Sequence, residues 1–353
     1  MNLWLPLLLF FVLAWVLTAL VLMMARRAKL IDVPNARSSH QQPTPRGGGL
    51  AIVVSLAAAS PWLAGADPAS ARLALDVIPA ALAVAVIGFV DDRWQLPAWP
   101  RAVVHMMAGT WILYRLPALP VVEMLGVNLG EGAVGVGLAL LYLVWATNLF
   151  NFMDGTDGIA ASQAILVSVG AAFLQGLHLG GTAWLGPVLV ACCCAGFLAW
   201  NWPPARIFMG DVGSGFLGLL IGSMTLTYAL EAPALFWAWM ILQGTFMVDA
   251  TTTIFCRLVR GQRVTQAHRS HAYQHLAQRV GHRTVMFAFG ATIVFWLFPV
   301  AWLVVHGTLS GLVGLALAYA PLIVVARHLG AGTSESRDPS SAANSTDTSC
   351  PNR

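Results

Sequence analysis

Carboxylates are the residues best suited to chemistry here, and several of the 15 acidic side chains gather in three short runs. Asp91 and Asp92 stand in Gly88-Phe-Val-Asp-Asp-Arg-Trp-Gln-Leu96. Asp154 and Asp157 stand in Asn148-Leu-Phe-Asn151-Phe-Met-Asp-Gly-Thr-Asp-Gly158. Asp211 stands in Phe208-Met-Gly210-Asp-Val-Gly213-Ser214-Gly215. Neighbouring carboxylates suit a hard cation, since Mg2+ takes oxygen ligands and typically shares one or two carboxylates with water and substrate phosphates. A solvated helix end would account for Asp91-Asp92 alone, although acids at a C-terminal helix end oppose the dipole. The second run holds two Asn, two Asp and two Gly, more than a polar turn requires. Its acids share one face if helical, and its glycines let backbone approach a ligand closely. The third run contains G-x-G-x-x-G from Gly213 to Gly218, but no strand precedes it and no βαβ unit fits, so a dinucleotide fold is excluded. What survives is a glycine-rich helix start whose N–H groups favour phosphate, beside a packing reading for Gly218 and Gly222 as G-x-x-x-G.

Two basic segments accompany the acids. His268-Arg269-Ser-His271-Ala-Tyr-Gln-His275, followed by Arg279, His282 and Arg283, is suited to a substrate phosphate or sugar, or to a loop resting on anionic lipid headgroups. Asn35 to Leu50 carries Arg37, His40 and Arg46 among prolines and glycines, and either guides a lipid phosphate or anchors the chain at the interface. The sole lysine, Lys29, lies outside any Walker A pattern.

These residues need elements to hold them, and composition says which. Of 353 residues, 58% are hydrophobic and only 10% charged, far below the roughly 25% of soluble chains. An all-α, polytopic transmembrane bundle follows. A span needs about 20 apolar residues, and about eleven are expected. They run approximately over Leu3–Met24, Leu50–Ala66, Leu73–Val90, Ala102–Leu116, Ala133–Phe150, Ile159–Leu177, Ala183–Trp200, Gly215–Leu230, Ala234–Ile254, Val285–Val305 and Leu309–Ala326. With eleven spans, all of the 19 Lys and Arg except Arg72 and Arg115 fall on one side. The positive-inside rule then puts the N-terminus outside and the C-terminus in the cytoplasm, with all three acidic runs at cytoplasmic helix mouths. The net charge of +4 is therefore membrane topology and not a nucleic-acid footprint. The first span has no preceding Lys or Arg and reads as an uncleaved anchor. Residues 1–330 form one catalytic membrane domain, and 331–353, rich in Ser, Thr, Asn and Asp, read as a disordered tail. Cys192, Cys193 and Cys194 lie together in a span as small apolar residues, and no disulfide framework is visible.

Taken in order, Asp91-Asp92, the Asn148 to Gly158 run, Phe208-Met-Gly-Asp-Val-Gly-Ser214 and His268-Arg-Ser-His271 resemble the polyprenyl-phosphate N-acetylhexosamine-1-phosphate transferases, over essentially all of residues 1–330. The resemblance implies transfer of a sugar 1-phosphate from a UDP-N-acetylhexosamine to undecaprenyl phosphate, with release of UMP and with Mg2+ or Mn2+. It implies a bacterial inner-membrane enzyme working at the cytoplasmic face of the bilayer, and admits a homodimer. The chain looks closer to the O-antigen and common-antigen initiators than to the murein branch, which has three consecutive His where this chain has His268-Arg269-Ser270-His271. The murein loop lysine is replaced by His40, with Arg46 supplying positive charge.

By the same resemblance, Asp211 binds a metal ion bridging the donor diphosphate, and Asp92 gives a second or water-mediated contact. Asp91 orients or deprotonates the acceptor phosphate. Asn151 and Asp154 contact nucleotide or metal, Asp157 contacts nucleotide, Phe208 stacks on uracil, and Asn148, Gly210 and Ser214 bind substrate beside it. His268, Arg269 and His271 hold the sugar phosphate. Two readings of other classes stand beside it. A secondary transporter would place its ionisable groups near the bilayer midplane, and a membrane prenyltransferase would place further acids where Arg93-Trp-Gln follows Asp92.

Overall fold

The computed structural model describes residues 3–34, 42–124, 127–262 and 268–333. His40 and Arg37, and residues 334–353 of the expected tail, lie outside the described residues. Among those described, the helices are α1 (Trp4–Arg27), α2 (Leu50–Leu63), α3 (Pro68–Trp94), α4 (Ala98–Arg115), α5 (Gly132–Met153), α6 (Ile159–Leu179) and α7 (Leu185–Asn201). They continue with α8 (Asp211–Ala229), α9 (Pro233–Leu242), α10 (Gly244–Val259), α11 (Ala272–Val280), α12 (His282–Val305) and α13 (Gly311–His328). A short antiparallel pair joins Ile31–Asp32 (β1) to Thr44–Pro45 (β2) ahead of α2.

The all-α polytopic architecture holds, but the expectation of eleven spans is corrected. Among the described residues, seven helices are long and apolar enough to cross a membrane: α1, α3, α5, α6, α8, α12 and α13. Runs of apolar letters overcount because they do not register where helices break. The expected second span is a helix of 14 residues, and the seventh one of 17. Both fall short of the run of about 18 or more apolar residues that marks a spanning helix. The ninth is divided at Gln243 into α9 and α10. The fourth coincides with α4, whose Arg101, His105 and Arg115 keep it out of the apolar class. The placement of the two termini rests on alternating eleven spans and is withdrawn with that count.

Helix α8 is the centre of the bundle, with every one of its residues buried. It packs chiefly against α5, α3 and α9. Small residues make the close approach possible: a Cβ on Gly218 would sit 2.8 Å from the Cα of Thr147, and one on Gly222 2.9 Å from the Cβ of Ala146. Gly218-x-x-x-Gly222 therefore serves helix contact, as the packing reading holds. Outward, α1 exposes Trp4, Leu8, Leu9, Met23 and Met24, and α13 exposes Val313, Val324 and Val325. A bilayer solvates such an apolar exterior, whereas water would not.

Candidate active site

Four segments meet at one end of α8. The C-terminal end of α3 supplies Asp91 and Asp92, the start of α4 supplies Arg101, the end of α5 supplies Asn151, and α8 begins with Asp211. The close approach of α3 depends on Gly88, where an added Cβ would run into the backbone carbonyl of Asp211. Arg46 arrives on the segment after β2. That segment is fastened to the one leading into α8 by Phe208 N–H to Pro45 O (2.8 Å), Gly48 N–H to Phe208 O (2.9 Å) and Gly49 N–H to Met209 O (2.9 Å). Gly49 and Gly213 lie so close that a Cβ on either would strike the other's Cα.

Two guanidinium groups hold the carboxylates together. Nε of Arg46 lies 2.8 Å from Oδ1 of Asp92, and its Nη2 contacts Oδ1 of Asp211. Nη1 of Arg101 reaches Oδ2 of Asp91 at 2.7 Å and Oδ2 of Asp211 at 3.1 Å. Asn151 donates its amide to the same Asp211 oxygen at 3.0 Å, and Ser214 Oγ donates to Asn151 Oδ1 at 3.2 Å. Asp91 also accepts the backbone N–H of Leu96 at 2.6 Å, which ties the turn after α3 to the site. Burial alone would lower the pKa of Arg46, but Asp211 and Asp92 outweigh it and raise it above the ordinary arginine value.

The glycine-rich start of α8 binds an anion, though not in the way the sequence suggests. Asp92 fills that position itself, accepting the N–H groups of Asp211 at 2.9 Å and Val212 at 3.2 Å. The carboxylate of a neighbouring helix thus satisfies the donors that a helix N-terminus leaves unpaired. Gly210 adopts φ +77°, and a Cβ there would lie 2.5 Å from Asp92 Oδ2, so glycine is required on both counts.

Asp154 follows α5 and is half-buried beside this cluster. Burial, and behind it the charges of Asp211, Asp92 and Asp157, push its carboxyl well above the usual carboxylate range, against the opposing pull of Arg46. Phe208 is half-buried on the segment paired with Arg46. Two expected site residues are turned to other partners. Asn148 donates to Val144 O of its own helix at 2.7 Å, and Asp157 accepts the Ala205 N–H at 3.1 Å and donates its own N–H to His282 Nδ1 at 3.4 Å.

The histidine turn reaches the site through α5. Tyr273 donates its hydroxyl to Phe152 O at 2.9 Å, one residue beyond Asn151. The rings of Phe152 and His271 lie 6.2 Å apart, and those of His271 and His268 stack at 5.1 Å. His271 is buried, whereas His268 and Arg269 are partly exposed. Burial, His271 and Arg257 bring His268 down to a pKa of about 4, so it is neutral at neutral pH.

Sequence reasoning passes over Arg101, which lies just before the expected fourth span at Ala102, and Asp249, which lies inside the expected ninth. An ionisable residue within an apolar stretch is the signal that marks Asp249; Arg101 stands at the edge of one, where a charge is ordinary.

The donor set around Asp91, Asp92, Asp211 and Asn151 is made of hard oxygen atoms, and the Asp91 and Asp211 carboxylates converge on one nitrogen of Arg101. Oxygen donors of this kind are what a divalent cation of the Mg2+ class takes, although among the described residues no three His, Cys, Asp or Glu side chains are grouped closely enough to hold a metal ion as they stand.

The comparisons with known proteins agree with this arrangement. A family model described as Glycosyl transferase family 4 matches residues 75–229, which contain the three acidic runs. Decaprenyl-phosphate N-acetylglucosaminephosphotransferase of Mycolicibacterium smegmatis is 28% identical over 368 residues, covering 91% of this chain and 87% of that protein. A Bacillus subtilis protein named "Probable undecaprenyl-phosphate N-acetylglucosaminyl 1-phosphate transferase" is 30% identical, covering 76% of this chain and 75% of its own. Phospho-N-acetylmuramoyl-pentapeptide-transferase of Acetivibrio thermocellus is 26% identical, with 72% and 77% covered. The chain belongs to the polyprenyl-phosphate N-acetylhexosamine-1-phosphate transferase family, and is a multi-pass membrane protein.

Proposed function

We propose that this protein transfers N-acetylhexosamine 1-phosphate from a UDP-N-acetylhexosamine to undecaprenyl phosphate, releasing UMP and starting a lipid-linked glycan of the O-antigen kind. The observation that carries this reading is the convergence of Asp91, Asp92 and Asp211, from two helices far apart in sequence, around Arg46 and Arg101. Both substrates are anions, so the reaction is mainly one of positioning and charge neutralisation. The site lies at a helix-bundle end, where a lipid phosphate from the membrane and a water-soluble nucleotide sugar can both reach it. It faces the cytoplasm of a bacterial inner membrane, where UDP-sugars are made.

An acceptor phosphate oxygen forms the new bond to the phosphorus carrying the sugar, and the bond to the UMP oxygen breaks. Asp91 orients the acceptor. A phosphomonoester is already largely ionised near neutral pH, so direct attack requires no strong base and no covalent enzyme intermediate. Arg46 and Arg101 exchange carboxylate oxygens for phosphate oxygens as substrates bind. Asp211, Asp92, Asp154 and Asn151 would hold a Mg2+ or Mn2+ ion, which when bound supplies charge neutralisation at the donor diphosphate. Phe208 stacks on the uracil, with Asp157 shaping the nucleotide side. His268 and Arg269 contact the sugar phosphate, with His271 behind them.

The test is UMP release from UDP-GlcNAc and undecaprenyl phosphate by the purified protein, extended to a panel of UDP-N-acetylhexosamines. Asp211→Asn abolishes turnover without loss of expression. A well-folded wild type that binds UDP-sugar yet releases no UMP with any sugar overturns the reading, and is the result that a transporter would give.

A further inference from the structure

We propose that Asp249 is a positioning residue of this transferase, which sets the histidine turn by acting through His271; this rests on the donor-site reading above. Asp249 lies in α10, 4% exposed, and its carboxylate is taken up almost wholly by the turn and the helix that follows it. Oδ1 is 3.2 Å from His271 Nδ1 and accepts the Ala272 N–H at 3.1 Å, and Oδ2 accepts the Tyr273 N–H at 2.8 Å. Thr253 Oγ1, one turn along α10, adds a fourth contact at 3.2 Å.

Capping alone is a weak reason for a buried carboxylate. The first turn of α11 needs acceptors for its N–H groups, but a neutral Asn or Ser provides them at far lower desolvation cost. The charge finds its reason in His271. A carboxylate on Nδ1 fixes an imidazole's tautomer and the plane of its ring. The plane of His271 matters because His268 stacks upon it at 5.1 Å with 25° between the rings. Nδ1 of His268 is engaged with Ser270 Oγ at 2.9 Å, and Arg257 reaches the same hydroxyl at 3.3 Å. With Nδ1 so held, Nε2 is the nitrogen His268 has to offer a sugar or phosphate. Asp249 therefore stands at the base of a series, carboxylate to His271 to His268, whose last member is the partly exposed one.

A double-mutant cycle on the full-length protein in detergent tests this, with two readouts: UDP-GlcNAc binding by calorimetry, and UMP release with undecaprenyl phosphate. Asp249→Asn keeps a side chain of the same shape that can still accept from Ala272. In an otherwise wild-type background it lowers UDP-GlcNAc affinity and kcat/KM for the donor by roughly 10- to 100-fold, the range for partners that orient a binding group. KM for undecaprenyl phosphate stays within about twofold. In a His271→Gln background the same change has less than about a threefold effect, because the residue it acts through is gone. Equal losses in both backgrounds, or an equal rise in both substrates' KM, overturn the inference and leave Asp249 a helix cap. Should Asp249→Asn not fold, Asp249→Glu carries the same cycle. A wild type that binds UDP-GlcNAc but releases no UMP sinks the proposed reaction, while the binding cycle still decides the role of Asp249. A wild type that binds none overturns both.

Discussion

Replacing Arg46 by Ala removes the cation that joins Asp92 to Asp211 and leaves two nearly buried carboxylates facing each other. The side chain of Arg46 is 35% exposed, and those of Asp92 and Asp211 are 8% and 10%. At charge separations of about 4 Å and an effective dielectric constant of about 20, each pair is worth about 4 kcal/mol in Coulomb terms. Desolvation, and water at the open third of the guanidinium, reduce that to roughly 1–2 kcal/mol per pair. The two together come to about 3 kcal/mol. If the guanidinium serves phosphate oxygens in the transition state as it serves carboxylates at rest, that energy equals about two powers of ten in kcat/KM. Arg46→Lys keeps the charge but offers one nitrogen in place of two, and loses about tenfold. The assay is UMP release as a function of MgCl2 concentration, with thermal unfolding followed in parallel. With the competing cation removed, Arg46→Ala reaches half-maximal rate at a lower Mg2+ concentration than wild type, although its maximal rate is lower. An Arg46→Ala protein with wild-type kcat/KM and an unaltered Mg2+ titration refutes the idea that guanidinium and metal share these carboxylates.

Other consequences follow from single contacts. Gly88→Ala drives a methyl group into the Asp211 carbonyl, an overpacking that costs about 1–3 kcal/mol; the melting temperature falls and UMP release drops more than tenfold, while Gly137→Ala, with open space around it, changes neither. Tyr273→Phe removes the hydroxyl bond to Phe152 O, worth about 1 kcal/mol, and raises KM for the UDP-sugar without moving that for the lipid. His268, with a folded pKa of about 4 below its ordinary 6.5, binds a proton more readily unfolded than folded between those values, so its contribution to stability declines as pH falls from about 6.5 towards 4. The melting temperature of wild type therefore drops more from pH 7 to pH 5 than that of His268→Gln.

The gathering of the acidic runs was more legible than the architecture. Asp91, Asp92 and Asp211 stand out in the sequence because ionisable residues in a membrane bundle are costly and therefore informative, and the structure brings the three together around Arg46 and Arg101. Segmentation was less legible, because the apolar letters run on through the break at Gln243 and past the stop of α2 at Leu63. Asn148 and Asp157 show a different limit. Their spacing puts them in the right run, but a back-bond to Val144 and a clamp on Ala205 and His282 are invisible until neighbouring elements are placed. Asp249 was readable by the same membrane rule that marks the other acids, yet it lies inside a run that looks wholly apolar.

One device recurs, and it bears on how phosphate is handled. The starts of α8 and α11 are both closed by a carboxylate from a different helix: Asp92 of α3 on the N–H groups of Asp211 and Val212, and Asp249 of α10 on those of Ala272 and Tyr273. Each helix start would otherwise attract an anionic substrate group. With both occupied by the protein's own charge, the proposed reaction would leave recognition of the diphosphate to groups that can release one oxygen and take another, namely Arg46, Arg101 and the proposed cation. Guanidinium groups could make that exchange without leaving the site, and the fixed carboxylates would keep their helices in register while it happened. On the proposed reaction, rigid helix ends and exchangeable cations thus divide the work: the first would hold Asp91, Asp92 and Asp211 in place, and the second would meet the substrate.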